Sequence, residues 1–471
     1  MHAVPGLACP ACRGDLRADG DANLTCGGCG AGYPILDGIP SFVPGSAAPG
    51  RHSTVNVTVL IVTAKQPGNP DGLLPALQQA LRSLEITHEL VVIDQGSAGG
   101  YGAALRAGFD RAHGEYILTL DADGSHDPSF LAAIWAARHG VEVVIASRYV
   151  EGGRAEMPRA RRALSRALSL ALRRGLSLPY SDLSSGYRLY HRVALASLPL
   201  QATGFDILQE ILIRMAAAGY AIREVPLHYR ARSTHRAWLA RFALSHLKTF
   251  GAMWKLRNSI ASADYDARAY ESVVPLQRYW QRRRYQVITT MAAGARRVLD
   301  VGCGSSRIIG SGRMVGLDIV LAKLRFARRY GNPLVHGSIF ELPFRDSAFD
   351  CVICSEVIEH VAADERVFSE LERVLEPGGR LILGTPDYDR WRWRAMEWLY
   401  GRLAPGGYAD EHITHYSRSN LAAYLKARGF TIDALEYVGG SEMIFSLRKA
   451  TGVPTASPLP IAAGLRSASR T

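Results

Sequence analysis

Four short apolar runs rich in β-branched residues, VNVTVLIV, HELVVID, EYILTLD and VEVVIAS, alternate with alanine- and leucine-rich stretches. The same rhythm restarts downstream with RRVLDVG, MVGLD, DCVICSE and GRLILGT. Such alternation specifies mostly parallel sheets flanked by helices, which makes the chain α/β. Two composition breaks separate the rhythms. PSFVPGSAAPGRHS, rich in Pro, Gly, Ser and Ala, ends near Ser53, and NSIASADYDARAYES covers 258–272. A chain of 471 residues also exceeds one ordinary core. We therefore expect a small cysteine-containing module over 1–45, one α/β domain over 53–260, a second over 265–450, and an aperiodic, flexible tail over 451–471.

The first module carries its chemistry in four cysteines. Cys9 and Cys12 form CPAC, Cys26 and Cys29 form CGGC, and a short polar segment lies between the two knuckles. Four thiolates in this order can close a tetrahedron around Zn²⁺, and a site with four protein ligands is structural because no position remains for water. A module this small has little core, so the metal is expected to supply much of its folding free energy. The following YPILDGIPSFVP resembles the ending of small zinc ribbons that accompany methyltransferases, including those fused to RNA methyltransferases. Cys303, Cys351 and Cys354 stand singly in apolar strand-like segments, which argues against a disulfide framework.

Charge points to anionic partners. The formal net charge is +12, and residues 51–262 hold 25 basic against 16 acidic side chains. That surplus suits a phosphorylated substrate or an anionic membrane face, and it could also serve nucleic acid. No run approaches the roughly 18 apolar residues of a membrane span, and the N-terminus lacks a signal-peptide pattern, so a cytoplasmic, bacterial-type protein is expected. Peripheral contact with the inner membrane face would involve the basic stretches 154–174 and 236–257.

In the middle segment the decisive string is EYILTLDADGSHDP, an apolar strand ending in Asp121-Ala122-Asp123. Two carboxylates spaced this way converge on one Mg²⁺ or Mn²⁺, which would neutralise a departing diphosphate. Around it follow LVVID with Asp94, GAALRAGFDRAHGE, ASRY with Arg148, SDLSSGYRLYHR and GFDILQEILIRMAAAGYAIREVPLHYRAR. In this order the segment resembles family 2 glycosyltransferases of the GT-A fold, specifically the dolichol- and polyprenyl-phosphate sugar synthases. The resemblance implies a nucleotide-sugar donor and a lipid-phosphate or glycan acceptor. It places Asp94 at the nucleotide base, Asp121 and Asp123 at the metal-diphosphate, and Glu210, Arg230 and Arg232 on the acceptor side, with Asp123 and Glu210 catalytic. The family's PTYNE is here Val62-Thr63-Ala64-Lys65-Gln66, and its DDGS is Asp94-Gln95-Gly96-Ser97. A helix and a strand usual before GAALRAGF are replaced by Ala98 to Tyr101.

In the last segment RRVLDVGCGSS sets Asp300, Gly302 and Gly304 at a strand end, where the backbone must turn close to a ligand. The next strand ends in Asp318, suited to ribose hydroxyls. With HGSIFELPF, SAFDCVICSEVIEHV and DERVFSELERVLEPGGRLILGTP, the order resembles class I S-adenosylmethionine-dependent methyltransferases, whose fold is Rossmann-like. That resemblance implies cofactor contacts from Asp300, Gly302 and Gly304 to the methionine part, Asp318 to ribose, and Ser338 with Ile339 to adenine. The short span from Gly304 to Asp318 predicts a trimmed first helix. Glu356, Glu359 and His360 resemble a motif of ubiquinone-pathway O-methyltransferases that holds a divalent metal in some members, and His412 or His415 is placed to deprotonate a hydroxyl. No Asn-Pro-Pro-Tyr-like motif follows the fourth strand, which favours O-methylation over methylation of a base amine.

The leading expectation is a bifunctional transferase. One alternative keeps the methyltransferase active and treats the middle segment as a sugar- or lipid-binding module. Another is a zinc-ribbon RNA methyltransferase, ranked last because the basic excess sits on the middle segment rather than beside the ribbon.

Overall fold

The computed structural model describes residues 4–46, 53–63, 70–230, 239–403, 412–451 and 466–467. The chain divides into two compact units, Pro49–Arg257 and a discontinuous one built from Met1–Ala48 with Asn258–Thr471. Within the second unit the cysteine module is a four-stranded antiparallel sheet of β1 (Leu16–Asp19), β2 (Asn23–Cys26), β3 (Gly32–Leu36) and β4 (Ile39–Pro40). The sequence expectation gave this module a domain of its own, yet its apolar residues are shared. Ile39 joins the core under the C-terminal sheet, and Val4, Leu7 and Phe42 pack against the opposite core.

The unit Pro49–Arg257 is built on β5 (Val57–Thr63), β6 (His88–Asp94), β7 (Tyr116–Asp121), β8 (Val143–Ser147), β10 (Arg188–His191) and β11 (Ile222–Pro226), in the order β11-β8-β10-β7-β5-β6. Strands β6, β5 and β7 are mutually parallel, and β10 runs antiparallel to both β7 and β8. The short β9 (Arg154–Glu156) and β12 (His228–Arg230) pair separately. Strand β5 shows why a continuous apolar run was needed. Leu60 and Val62 enter one core while Val57, Val59 and Ile61 enter the other, as a two-residue side-chain period between two helical layers requires. In GAALRAGF, a Cβ on Gly108 would lie 2.3 Å from Leu60, so this glycine lets the helix Tyr101–Arg111 seat directly on β5.

The second unit's main sheet contains β13 (Val298–Val301), β14 (Met314–Asp318), β15 (Leu334–His336), β16 (Phe349–Ser355), β17 (Leu375–Pro386), β19 (Phe430–Val438) and β20 (Glu442–Lys449). Its order is β15-β14-β13-β16-β17-β20-β19, parallel except at β20. The chain leaves β13 toward β14 and β15 and returns to β16 on its other side. That reversal opens a crevice at the carboxyl ends of β13 and β16. Between Gly304 and Asp318 there is only a single turn, Arg307–Gly310, as the short spacing predicted. A two-residue strand, β18 (Thr414–His415), follows His412. No described helix is long and apolar enough to cross a membrane. The tail read as flexible and the position of Arg232 lie outside the described residues, apart from 451 and 466–467.

Candidate functional sites

Cys9, Cys12, Cys26 and Cys29 converge with all four sulfurs within 4.8 Å of one another. Cys9 Sγ lies 3.7 Å from Cys29 Sγ, and Cys12 Sγ 3.4 Å from Cys26 Sγ. Zn–S bonds of about 2.3 Å in a tetrahedron separate sulfurs by roughly 3.8 Å, so the cluster has the right size for one ion. The backbone N–H of Gly28 and the hydroxyl of Tyr33 donate to Cys26 Sγ and Cys9 Sγ, favouring thiolates.

On the other unit, the register Val62↔Asp121 and Thr63↔Asp94 puts the ends of β7 and β6 on either side of β5. Asp121 accepts from the Tyr101 hydroxyl at 3.1 Å, and its own N–H donates to His126 Nδ1 at 3.1 Å. Burial holds His126 below the usual histidine range, so it serves as a neutral acceptor. Asp123 accepts from the N–H of Ser125, and Asp94 from that of Ser97. These turns fix both carboxylates at the carboxyl edge, while among the described residues no third metal-ligating side chain joins Asp121 and Asp123.

Three other positions of the resemblance are placed as follows. Glu210, expected on the acceptor side as a catalytic group, is buried and spent on structure: it accepts from the N–H groups of Gln201 and Ala202 and from Arg214 Nε. It acts as a positioning residue for the 201–204 loop, whose Thr203 carbonyl receives the N–H of Gly102. Arg148 is buried in a two-bond pair with Asp182, both at 2.7 Å, and donates also to Ser184. Arg230 is exposed and pairs with Glu156. The shortened link after β6 leaves that strand at the sheet edge with Leu90 and Val92 exposed.

In the crevice of the last sheet, Asp300 is buried and its Oδ2 has no partner. Burial, with the nearby Asp318, pushes its carboxyl up to about 7. A buried, unpartnered carboxylate oxygen near the end of β13 suits a cationic ligand, which is what the ammonium of S-adenosylmethionine provides. Gly302 turns the chain at φ +70°, and a Cβ there would lie 2.2 Å from Val357. Asp318 receives the N–H groups of Gly304 and Val320. Burial opposes the charge of Lys323, but Asp266 at 3.2 Å and Asp318 hold it above its ordinary value. Ser338 opens the loop after β15, and the Ile339 side chain packs into the core. These residues fit the cofactor.

Beside this crevice lies a cavity of about 100 Å³ lined by Tyr265, Trp280, Arg284, Glu356, Trp393 and His412 among others. Chain neighbours of its lining lie against the glycine turn: a Cβ on Gly302 would meet Val357, next to Glu356, and one on Gly304 would meet Asp266, next to Tyr265. Glu356 was expected to share a metal with Glu359 and His360. Instead it has φ +58° and pairs with Arg284 at 3.0 Å, an arginine that also clamps Glu442. The compact group is Glu359, His360 and His412, with one ligand atom from each within 4.8 Å. Glu359 is fully buried, accepts from Thr385 Oγ1, and is pushed up to about 7 by that burial.

The tautomer of His412 follows from its neighbours. The Tyr388 hydroxyl donates to Glu397 at 2.8 Å, so its oxygen accepts from His412 Nδ1 at 2.7 Å. Nε2 is then the basic nitrogen, and it is buried without a partner. His415, the other candidate base, instead stacks on Tyr388 with ring centres 3.8 Å apart, and burial lowers its basicity. Arg284, Trp280, Tyr388 and Glu397 were not singled out in the sequence; none belongs to a local motif, and each reaches its site through a helix or loop distant in the chain.

The two sheets match two transferase families. The glycosyl transferase family 2 model matches residues 68–198, and a methyltransferase domain model matches residues 299–383. The polyprenol monophosphomannose synthase of Mycolicibacterium smegmatis is 33% identical over 191 residues, 39% of this chain and 70% of that protein. A protein of Encephalitozoon cuniculi named "Putative methyltransferase" is 37% identical over 170 residues, 35% of this chain and 78% of that protein. A transposon-encoded 37.1 kDa protein of Streptomyces fradiae is 34% identical over 157 residues, 28% of this chain, and the chain spans 46% of its length. The chain belongs to the family 2 glycosyltransferases through one domain and to the methyltransferases through another.

Proposed function

We propose that this chain transfers a sugar from a nucleotide sugar to a lipid phosphate and methylates a hydroxyl group of the same or a related molecule. The observation that carries the methyl-transfer half is the buried, unpartnered Nε2 of His412 at a cavity whose lining has chain neighbours against the glycine turn. S-adenosylmethionine supplies an electrophilic methyl group. The chain's own part is to hold the acceptor against Trp280 and Trp393, take its proton at His412 Nε2, and stabilise the resulting imidazolium through Glu397. Glu397 is thus a positioning residue. Neutral polyhydroxyl acceptors suit the cavity, since Arg284 is already paired with Glu356 and Glu442 while Glu397 adds negative charge. A metal held by Glu359, His360 and His412 is the second reading for this site, favoured by their convergence.

For sugar transfer, Asp121 and Asp123 would hold Mg²⁺ or Mn²⁺ against the donor diphosphate, with Asp94 at the base. The acceptor phosphate is already anionic and attacks the anomeric carbon as the nucleoside diphosphate leaves, so no strong protein base is required. The name of the M. smegmatis relative supports a polyprenyl acceptor. The helix Arg159–Leu176 supports peripheral membrane contact, because Leu164 and Leu170 are exposed on a helix that also exposes Arg166 and Arg174. Zn²⁺ in the four-cysteine cluster completes the cofactors. Exposed Leu90 and Val92 favour one competing reading, a binding module without transfer activity. Titration with nucleotide sugars and Mn²⁺, followed by turnover with polyprenyl phosphate, separates the two: binding without turnover would leave only the module.

A further inference from the structure

The cysteine module grips both ends of one loop in the methyltransferase crevice. At the near end, the N–H of Phe42 donates to the His336 carbonyl at 2.8 Å, and Ser41 Oγ meets His336 Nδ1 at 2.7 Å in a buried contact. His336 Nε2 lies 3.0 Å from the Ile319 carbonyl, which can only accept, so Nε2 carries the proton and Nδ1 accepts from Ser41. Ile319 directly follows Asp318, and the N–H of Gly337 donates to the Asp318 carbonyl. At the far end, the N–H of Ala8 donates to the Pro343 carbonyl, the N–H of Arg345 to the Gly6 carbonyl, and Arg13 Nη1 to the Leu342 carbonyl. Arg13 also pairs with Glu370, whose carboxylate receives the N–H of Leu342.

The segment held between these two grips, 337–341, contains Ser338 and Ile339. The far grip depends on the thiol cluster itself. Ala8 precedes Cys9, and Arg13 follows Cys12 at φ +63° with its N–H bonded to the Cys9 carbonyl. Loss of the ion would release the knuckle and with it both Ala8 and Arg13.

We infer that the ribbon is a built-in part of the cofactor site: metal occupancy at the four cysteines and S-adenosylmethionine affinity are thermodynamically linked through Ser41, Arg13 and the 337–343 loop. This rests on the cofactor reading given above. Linkage is reciprocal, so bound cofactor must slow extraction of the metal as metal strengthens binding of the cofactor.

The test measures S-adenosylmethionine binding by calorimetry on the full chain as the zinc form, after chelator stripping, and after reloading. Stripping is expected to weaken binding roughly tenfold, the scale of one or two net hydrogen bonds, and reloading to restore it. Saturating S-adenosylmethionine is expected to slow zinc release to a chromophoric chelator. Ser41→Ala and Arg13→Ala, which keep all four cysteines, are expected to weaken cofactor binding while retaining zinc. Equal affinity in the zinc and stripped forms, or unchanged affinity in both variants, overturns the linkage. No binding to the zinc form overturns the cofactor reading itself.

Discussion

Replacing Asp300 by Asn should stabilise the ligand-free methyltransferase sheet while weakening its cofactor site. In the folded protein, burial beside Asp318 raises this carboxyl from 3.8 to about 7. An acid with a raised folded pKa costs nothing below the unfolded value, where both states are protonated. The cost grows as pH rises, because only the unfolded chain ionises freely, and it is complete above the folded value. Three pKa units at 1.36 kcal/mol each put the cost at about 4 kcal/mol above pH 7, and near zero at pH 4. Asp300→Asn removes it. For a unit of this size that corresponds to a melting temperature higher by ~8 °C at pH 8, with little change at pH 4.5. Calorimetric melts would follow the transition that responds to S-adenosylhomocysteine. Native binding of S-adenosylmethionine should strengthen about tenfold for each pH unit gained up to pH 7 and level above it, a slope that Asp300→Asn abolishes. A variant less stable than native at pH 8, or stabilised equally at both pH values, would rule out a buried, raised carboxyl at Asp300.

Asp182→Asn should destabilise the sugar-transfer unit by about 3 to 5 kcal/mol, because it leaves the buried Arg148 guanidinium without its counter-charge. Denaturant melts check this, and a loss under about 1 kcal/mol would contradict the burial argument. Glu397→Gln should lower kcat for methyl transfer on the order of tenfold to a hundredfold with KM little changed, and should move the pH profile, since the imidazolium loses its carboxylate. A KM effect alone would assign Glu397 to acceptor binding.

Much of the candidate-site framework was legible because its signals are local. Asp121 and Asp318 end their strands and Asp300 is the next-to-last residue of its own, each strand is readable as a short apolar run, and parallel sheets bring such ends to one edge. The cysteine pairs are readable for the same reason. What the sequence hid is held together across long separations. Arg284 reaches Glu442 over 158 residues, and that pairing removes Glu356 from the motif to which its spacing assigned it. Glu210 illustrates a different limit: a motif identifies a carboxylate but not which backbone groups consume it. The ribbon read as independent because its sequence is contiguous, whereas its packing partners Pro343 and His336 lie about 300 residues away.

The most direct test of two separate transfer centres on one chain is mass spectrometry of products from a single reaction. It would contain polyprenyl phosphate, a panel of nucleotide sugars with Mn²⁺, candidate glycan acceptors and isotope-labelled S-adenosylmethionine. The account predicts that Asp123→Ala abolishes the sugar mass increment while S-adenosylmethionine binding persists, and that His412→Ala abolishes the methyl increment while sugar transfer persists. Loss of neither increment in its own variant, or absence of both from the native protein, would contradict it.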